Sequence, residues 1–355
     1  MNAQILQAVE QLLNEKGIEK DVVIDAIKSS VVMAIKRKFA DIENLHIEFD
    51  EKDGEIKVYA SKKVVKGSAK NINEMGLQVA REHDPDIKIG DFINIELSPE
   101  SVGRIAAQTA RQIIVQKIKE AEKDNLFNDF MSKLGCLIQG KVQKVQTDES
   151  ILVDIGQVEA VIMKKDQIPG ERFRTGQLIK AVIADVKRNI RGSMVFLSRA
   201  NTDFLKRLFE NEIPEIIDGV IEIISVSREP GSRSKIAVVS LNEKVDAVGA
   251  CVGVKGVRIQ QIVNELRGEK IDVIRYNEDI KRYITNALAP SEVVSIEIRD
   301  ETGGINTEVV VPDHHLSLAI GKEGQNVRLA ARLVGARIDI VSESQKRKKV
   351  EKLLD

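Results

Sequence analysis

Hydrophobic positions along the chain change their period more than once, and each change marks a different kind of structure. At the N-terminus the spacing is helical: Ile5, Leu6, Val9, Leu12 and Leu13 form one stripe, with Gly17 as its stop. A second stripe, capped by Asp21, holds Val23, Ala26, Ile27, Val31, Ala34, Ile35 and Phe39. The period then drops to two. Leu45, Ile47 and Phe49 alternate with polar residues, Asp53-Gly54 offers a turn, and Ile56, Val58 and Ala60 return. A further strand is expected over Ile93–Leu97, after which Ser98 (N-cap) and Pro99 (first helical position) open a long helix. That helix is expected to reach residue 131, with Val102, Ile105, Thr109 and Ile113 on one side and Ala110, Ile114 and Ile118 beside it. It reads as a spacer closing an N-terminal α/β head, residues 1–131.

Residues 135–200 alternate differently. Five short apolar runs, Gly140–Val142, Ile151–Gly156, Glu159–Met163, Leu178–Ile183 and Met194–Ser198, suit a small closed β-barrel. The Gly-x-Val, Asp-x-Gly and closing Leu-Ser-Arg elements resemble the S1 type of OB fold. Such barrels hold single strands by stacking bases on aromatic rings. Only Phe173 and Phe196 are available here; the alternation assigns Phe196 to the core, and Phe173, between Arg172 and Arg174, is the base-contact candidate.

From residue 201 one order of elements occurs twice: helix, strand, strand, helix, Gly-x-x-Gly, helix, strand. The first copy (201–277) contains Gly253-Val254-Lys255-Gly256 and closes on Gly268-Glu269-Lys270-Ile271-Asp272. The second (278–345) contains Gly321-Lys322-Glu323-Gly324 and closes on Gly335-Ala336-Arg337-Ile338-Asp339. A Gly-x-x-Gly turn between helices within α-β-β-α-α-β order is the pattern of a prokaryotic-type KH module, a clamp for about four nucleotides of single-stranded RNA. Glycine at both ends lets a sugar-phosphate backbone approach, and the next helix begins at once with unpaired amides and its positive dipole end. Lys255, Lys322, Arg258 and Arg328 supply charge, Val254, Gln325 and Asn326 complete the candidate contacts, and Glu323 weakens phosphate attraction at the second loop. No linker separates the copies, so a rigid tandem is expected.

Composition sets limits. The 355 residues, 43% hydrophobic and 31% charged, suit a soluble protein of two or three domains. No apolar run approaches the ~20 residues that cross a bilayer, and Met1-Asn2-Ala3-Gln4 begins no signal peptide, so the cytoplasm is expected and no membrane partner. Cys136 and Cys251 make neither a disulfide framework nor a zinc site. No phosphate-binding Walker sequence or paired-carboxylate motif appears, and His314-His315, being adjacent, point apart; no catalytic residue, metal or cofactor is expected. The net charge of −1 argues against indiscriminate nucleic-acid binding. A local patch remains, with Lys322, Arg328, Arg332 and Arg337 against Glu323 alone. The basic tail 346–355, with Lys346-Arg347-Lys348-Lys349, reads as a solvated helical end.

These features together form a multidomain α+β chain: an α/β head with a long linker helix, an S1-type OB barrel and two tandem KH domains. Pro214-Glu215-Ile216, Arg228-Glu229-Pro230-Gly231-Ser232-Arg233-Ser234-Lys235-Ile236-Ala237-Val238, Val248–Gly253, Asn286–Pro290 and Ile320–Ala330 make it similar to the NusA family of bacterial transcription elongation, termination and antitermination factors. Ala247 departs from the family's usual proline. The resemblance implies that residues 1–131 dock on RNA polymerase near the flap and RNA exit channel. It also implies that barrel and KH domains meet nascent RNA, alongside other elongation or antitermination factors, in a monomeric, non-enzymatic protein that modulates pausing, termination and antitermination. Phosphorolytic exoribonucleases carry the same modules in the opposite order beside large catalytic domains. A ribosome-assembly or translation-associated RNA-binding protein is the alternative, and the head discriminates.

Overall fold

The computed structural model describes residues 20–50, 55–98, 102–189, 192–301 and 304–354. The stripe Ile5, Leu6, Val9, Leu12, Leu13 with Gly17, the Asp53-Gly54 turn and Pro99 lie outside the described residues. The chain divides into two compact units, residues 1–129 and 130–355.

In the first unit, helix α1 (Lys20–Lys38) buries Val23, Ile27, Val31 and Ile35, one residue per turn, against strands β1 (Leu45–Phe49) and β2 (Ile56–Val65). Helix α3 (Arg104–Ser132) joins that core. Its innermost seam is Ala106, Ala110 and Ile114, continued by Val102 just before the helix, while Ile105, Ile113 and Ile118 flank it half-buried. Of the two expected rows, Val102, Ala110 and Ile114 are buried and Ile105, Ile113 and Ile118 pack beside them; Ala106 is the addition. Strand β2 pairs with β1 on one side and β4 (Phe92–Glu96) on the other, and its end runs parallel to β3 (Glu74–Gly76). β3 and the following α2 (Leu77–His83) were not foreseen, being too short to carry a periodic signal.

The second unit begins with a closed barrel, strand order β5-β6-β7-β9-β8. Its strands are β5 (Leu137–Val145), β6 (Ile151–Asp154), β7 (Glu159–Ile162), β8 (Leu178–Asn189) and β9 (Gly192–Ser198). Gly140 permits closure: a Cβ there would stand 2.5 Å from Val153 Cγ1 and 2.9 Å from the Asp154 carbonyl oxygen. The barrel shares one core with the first KH module, since Ile168 and Val182 pack with Phe204, Leu208, Phe209 and Ile236.

That module comprises α4 (Thr202–Glu212), α5 (Pro214–Ile217), β10 (Ile221–Glu229), β11 (Arg233–Ser240), α6 (Ala247–Val252), α7 (Val257–Glu265) and β12 (Lys270–Arg275). The second comprises α8 (Ile280–Ala287), β13 (Ser295–Glu301), β14 (Gly304–Val311), α9 (Leu316–Ile320), α10 (Gln325–Val334) and β15 (Arg337–Ser342). In each sheet the first pairing is antiparallel and the second parallel. The elements follow the expected order, with ends displaced by up to three residues and the short α5 added between α4 and β10.

The two modules pack directly. Helix α10 lies on the face of the β10–β11 pair turned away from α4 and α7, with Ala237 and Ile274 entering the second module's core. Strand β11 is therefore covered on both faces, and Ser234, Lys235, Ile236, Ala237 and Val238 are all buried in succession. Ser225 Oγ sits 2.7 Å from the Tyr283 hydroxyl and donates to the Leu333 carbonyl at 2.9 Å, pinning β10 to α8 and α10.

The basic tail is helical and largely exposed, as expected, but two of its lysines pair with strand carboxylates. Helix α11 (Glu343–Leu354) lies on β14 and β15, where Lys346 Nζ reaches both Glu297 and Glu308 and Lys349 Nζ lies 2.7 Å from Glu308 Oε2. The acidic strand positions that attract it are distant in sequence, so the tail alone carries no sign of these pairs.

Candidate nucleic-acid interface

The two Gly-x-x-Gly loops adopt one backbone. Gly253 and Gly321 both have φ 76° and ψ 172°. Lys255 (φ 52°, ψ 24°) matches Glu323 (φ 53°, ψ 27°), and Gly256 (φ 76°, ψ 15°) matches Gly324 (φ 73°, ψ 15°). Each turn is closed by the second glycine's amide donating to the first glycine's carbonyl, at 3.1 and 3.2 Å. Different side chains in the same conformation mean that the glycines and their surroundings dictate the shape.

The two glycines of each loop do different jobs. A Cβ on Gly253 would lie 2.9 Å from Arg258 Cγ, and one on Gly321 would lie 2.8 Å from Asn326 Cβ and its amide nitrogen. The first glycine is therefore required because the next helix presses on it. At the second glycine space is open: only Ile259 Cγ2 comes within 3.9 Å of a Cβ on Gly256, and nothing comes within 4 Å at Gly324. Here positive φ is the requirement, and the empty floor lets a phosphodiester come close.

Val254 is 84% exposed, and Lys255, Lys322 and Glu323 are exposed with it. Among the described residues Lys255 and Lys322 make no hydrogen bond or ion pair. Their positions differ, because Lys322 corresponds to Val254 and Glu323 to Lys255. No side chain caps the N-terminus of α7 or α10, so the positive end of each helix opens onto its loop.

The other residues grouped with the loops from sequence bind protein acceptors in this structure. Arg258 Nη1 donates to Glu215 Oε1 and Oε2 at 3.0 and 2.8 Å and to the Ala250 carbonyl at 2.8 Å. This hydrogen bond from Arg258 holds the Glu215 carboxyl below its usual range. Asn326, at the equivalent position, is buried and donates from Nδ2 to the carbonyls of Ala319 (3.0 Å) and Leu288 (3.3 Å), while its Oδ1 has no partner among the described residues. Both side chains tie the loop to the end of the preceding helix. Gln325 Nε2 donates to Glu229 Oε2 (2.8 Å) and Ser232 Oγ (2.7 Å) in the first module. Arg328 grips the same carboxylate through Nε (2.6 Å) and Nη2 (3.2 Å), and its Nη1 reaches the Glu323 carbonyl at 3.2 Å. Sequence reasoning missed Glu215, Glu229 and Ser232 as bracing partners; the only signal was their place within the motifs quoted for the family resemblance.

On the barrel, Arg172 is exposed and Phe173 half-buried, with the Arg199 guanidinium 6.0 Å from the ring centroid. Phe196 is not a core residue. Its neighbours Val195 and Leu197 fill the interior, leaving Phe196 half-buried on the outer surface with Lys187 Nζ 5.3 Å from its ring. Arg199 is itself buried and joins barrel to KH module. It donates to Glu171 through Nε at 3.0 Å, to Glu265 Oε1 at 2.8 Å and to the Glu265 carbonyl at 3.0 Å. Among the described residues no group of three His, Cys, Asp or Glu side chains could hold a metal ion, and no helix is long and apolar enough to cross a membrane.

Three family profiles match the chain: NusA N-terminal domain over residues 4–124, NusA-like first KH domain over 199–276 and NusA-like second KH domain over 280–348. Among curated relatives, the transcription termination/antitermination protein NusA of Halalkalibacterium halodurans is 45% identical over 97% of this chain and 90% of its own length. The Bacillus subtilis protein of the same name is 41% identical over 98% and 93%. That of Thermus thermophilus is 36% identical over 94% and 89%.

Proposed function

The chain belongs to the NusA family of transcription termination/antitermination proteins, and on that premise we propose that it couples RNA polymerase to the emerging transcript. Residues 1–131 dock on the polymerase near the flap and RNA exit channel. The barrel (135–200) and the KH modules (201–277 and 278–345) then hold nascent single-stranded RNA, with other elongation or antitermination factors joining the assembly. The observation that carries this reading is the pair of loops with one backbone conformation, each exposed and each opening onto an uncapped helix. Gly253, Val254, Lys255 and Gly256, and Gly321, Lys322 and Gly324, are the phosphate-facing positions. Arg172 and Phe173 add a barrel contact.

Tethering to polymerase raises the local RNA concentration at each clamp, so weak intrinsic binding suffices to bias pausing, termination and antitermination. The protein acts as a cytoplasmic monomer and performs no catalysis. Lys255→Asp in the full chain is expected to lower affinity for single-stranded RNA about tenfold, through phosphate repulsion, while polymerase capture is unchanged. Retention on ribosomal particles instead of polymerase would favour the ribosome-assembly or translation reading and sink this one.

A further inference from the structure

We propose that Glu229 is a positioning residue that holds the second RNA loop in register with the first, so that one strand engages both; this rests on the RNA-binding reading above. Glu229 ends strand β10 of the first module, yet its carboxylate is filled by the second. Arg328 takes it with two nitrogens at 2.6 and 3.2 Å, Gln325 at 2.8 Å, and Arg332 Nη1 approaches to 3.8 Å. Ser232, across the same hairpin, also accepts from Gln325 at 2.7 Å.

All three donors stand on α10, and Gln325 is the residue that directly follows Gly324. Arg328 in addition holds the carbonyl of Glu323 inside the loop at 3.2 Å. An unbroken path of hydrogen bonds therefore runs from the β10–β11 hairpin into the second loop's backbone. Strand β11 is parallel to β12, which follows the first loop's helix, so this hairpin belongs to the scaffold of that loop. The Glu229 side chain is 22% exposed and those of Arg328 and Arg332 are 44% and 54% exposed, so the number and geometry of the hydrogen bonds, rather than burial, hold this junction.

Two clamps rigidly spaced act on a strand that spans both as one site. If their spacing fluctuates, the second binding event loses effective concentration, while each clamp alone is unaffected. Glu229 thus governs length-dependent affinity rather than intrinsic affinity.

The test measures the full chain's binding to two random-sequence single-stranded RNA pools, one about five nucleotides long and one about twelve, long enough for two footprints of about four. Glu229→Gln is expected to weaken the long pool about tenfold and leave the short pool unchanged, with thermal unfolding confirming an intact fold. Arg328→Gln, at the exposed end of the pair, is the second variant. It should reduce the long-to-short ratio equally, and the double variant should be no worse than either single one. Equal loss on both pools, or tighter binding of the long pool, overturns the positioning role. So does unchanged binding by Glu229→Gln where Lys255→Asp has lost affinity, an outcome that leaves the RNA-binding reading standing. A parent protein that binds neither pool overturns that reading itself.

Discussion

Arg228 and Glu269 meet fork to fork with both side chains fully out of solvent: Nε lies 2.9 Å from Oε1 and Nη2 3.0 Å from Oε2. Glu269 also accepts from the Ser234 hydroxyl at 2.5 Å and the Gly231 amide at 2.8 Å. Arg228 Nη1 reaches the carbonyls of Arg199 and Asn201 at 2.8 and 2.6 Å, so the pair fastens the first KH module to the end of the barrel. Removing one partner leaves the other charge buried without compensation. Glu269→Ala is expected to cost about 3–5 kcal/mol of stability, and Arg228→Met combined with Glu269→Leu much less. Urea unfolding of the three proteins measures this, and equal losses would contradict it.

The two glycines of a loop should respond differently to alanine. Gly321→Ala meets a 2.8 Å contact with Asn326 at φ 76°, ψ 172°, and should destabilise the protein by more than about 2 kcal/mol. Gly324→Ala meets no atom within 4 Å, and its cost is the left-handed strain of about 1–2 kcal/mol. Thermal melts rank the two, and Gly324→Ala should show the greater loss of RNA affinity relative to its loss of stability.

Salt dependence separates charge from shape at the loops. Each lysine that neutralises a phosphate adds about 0.7 to the slope of log affinity against log salt for a single strand. Lys255→Ala and Lys322→Ala should each lower the slope by about that amount. Glu323→Lys should tighten binding and steepen the slope; a flat response in all three would place the phosphates elsewhere.

Helix α11 should be held by charge in a definite pH window. Hydrogen bonds from Lys346 and then Lys349 lower the Glu308 carboxyl from 4.5 to about 2. Its folded-state value is depressed, so its contribution is complete above pH 4.5 and lost as pH falls toward 2. Glu308→Gln should release the helix at neutral pH, read as faster tryptic cleavage at Lys346-Arg347-Lys348-Lys349. The parent should be cleaved more slowly at the same pH, and its helical circular-dichroism signal should fall as pH drops from 4.5 toward 2.

Cys251 is buried, and burial pushes its thiol up to about 12, whereas Cys136 is exposed. At pH 8 a thiol reagent should modify one cysteine quickly and the second only on unfolding. Rapid modification of both would contradict the packing around α6.

Local chemistry was legible along the chain: the doubled α-β-β-α-α-β order, both Gly-x-x-Gly turns, the barrel strands and the stripe of α1 depend on near neighbours and on period. Glycine at Gly253 and Gly321 declared a special backbone before any contact was known. What a side chain meets across the fold was not legible. Arg258, Gln325, Asn326 and Arg328 read as RNA candidates from sequence, and the fold gives each a protein acceptor that sequence does not show, such as Glu215, 43 residues from Arg258, and Glu229, 99 residues from Arg328. Phe196 left the core and Lys346 of α11 found carboxylate partners for the same reason. Period and glycine placement set which segments form and where the chain turns, because those depend on backbone sterics and hydrophobic spacing. Only the packed structure decided which charges face solvent and which brace one module against another, because a hydrogen bond is settled by distance in space and not along the sequence.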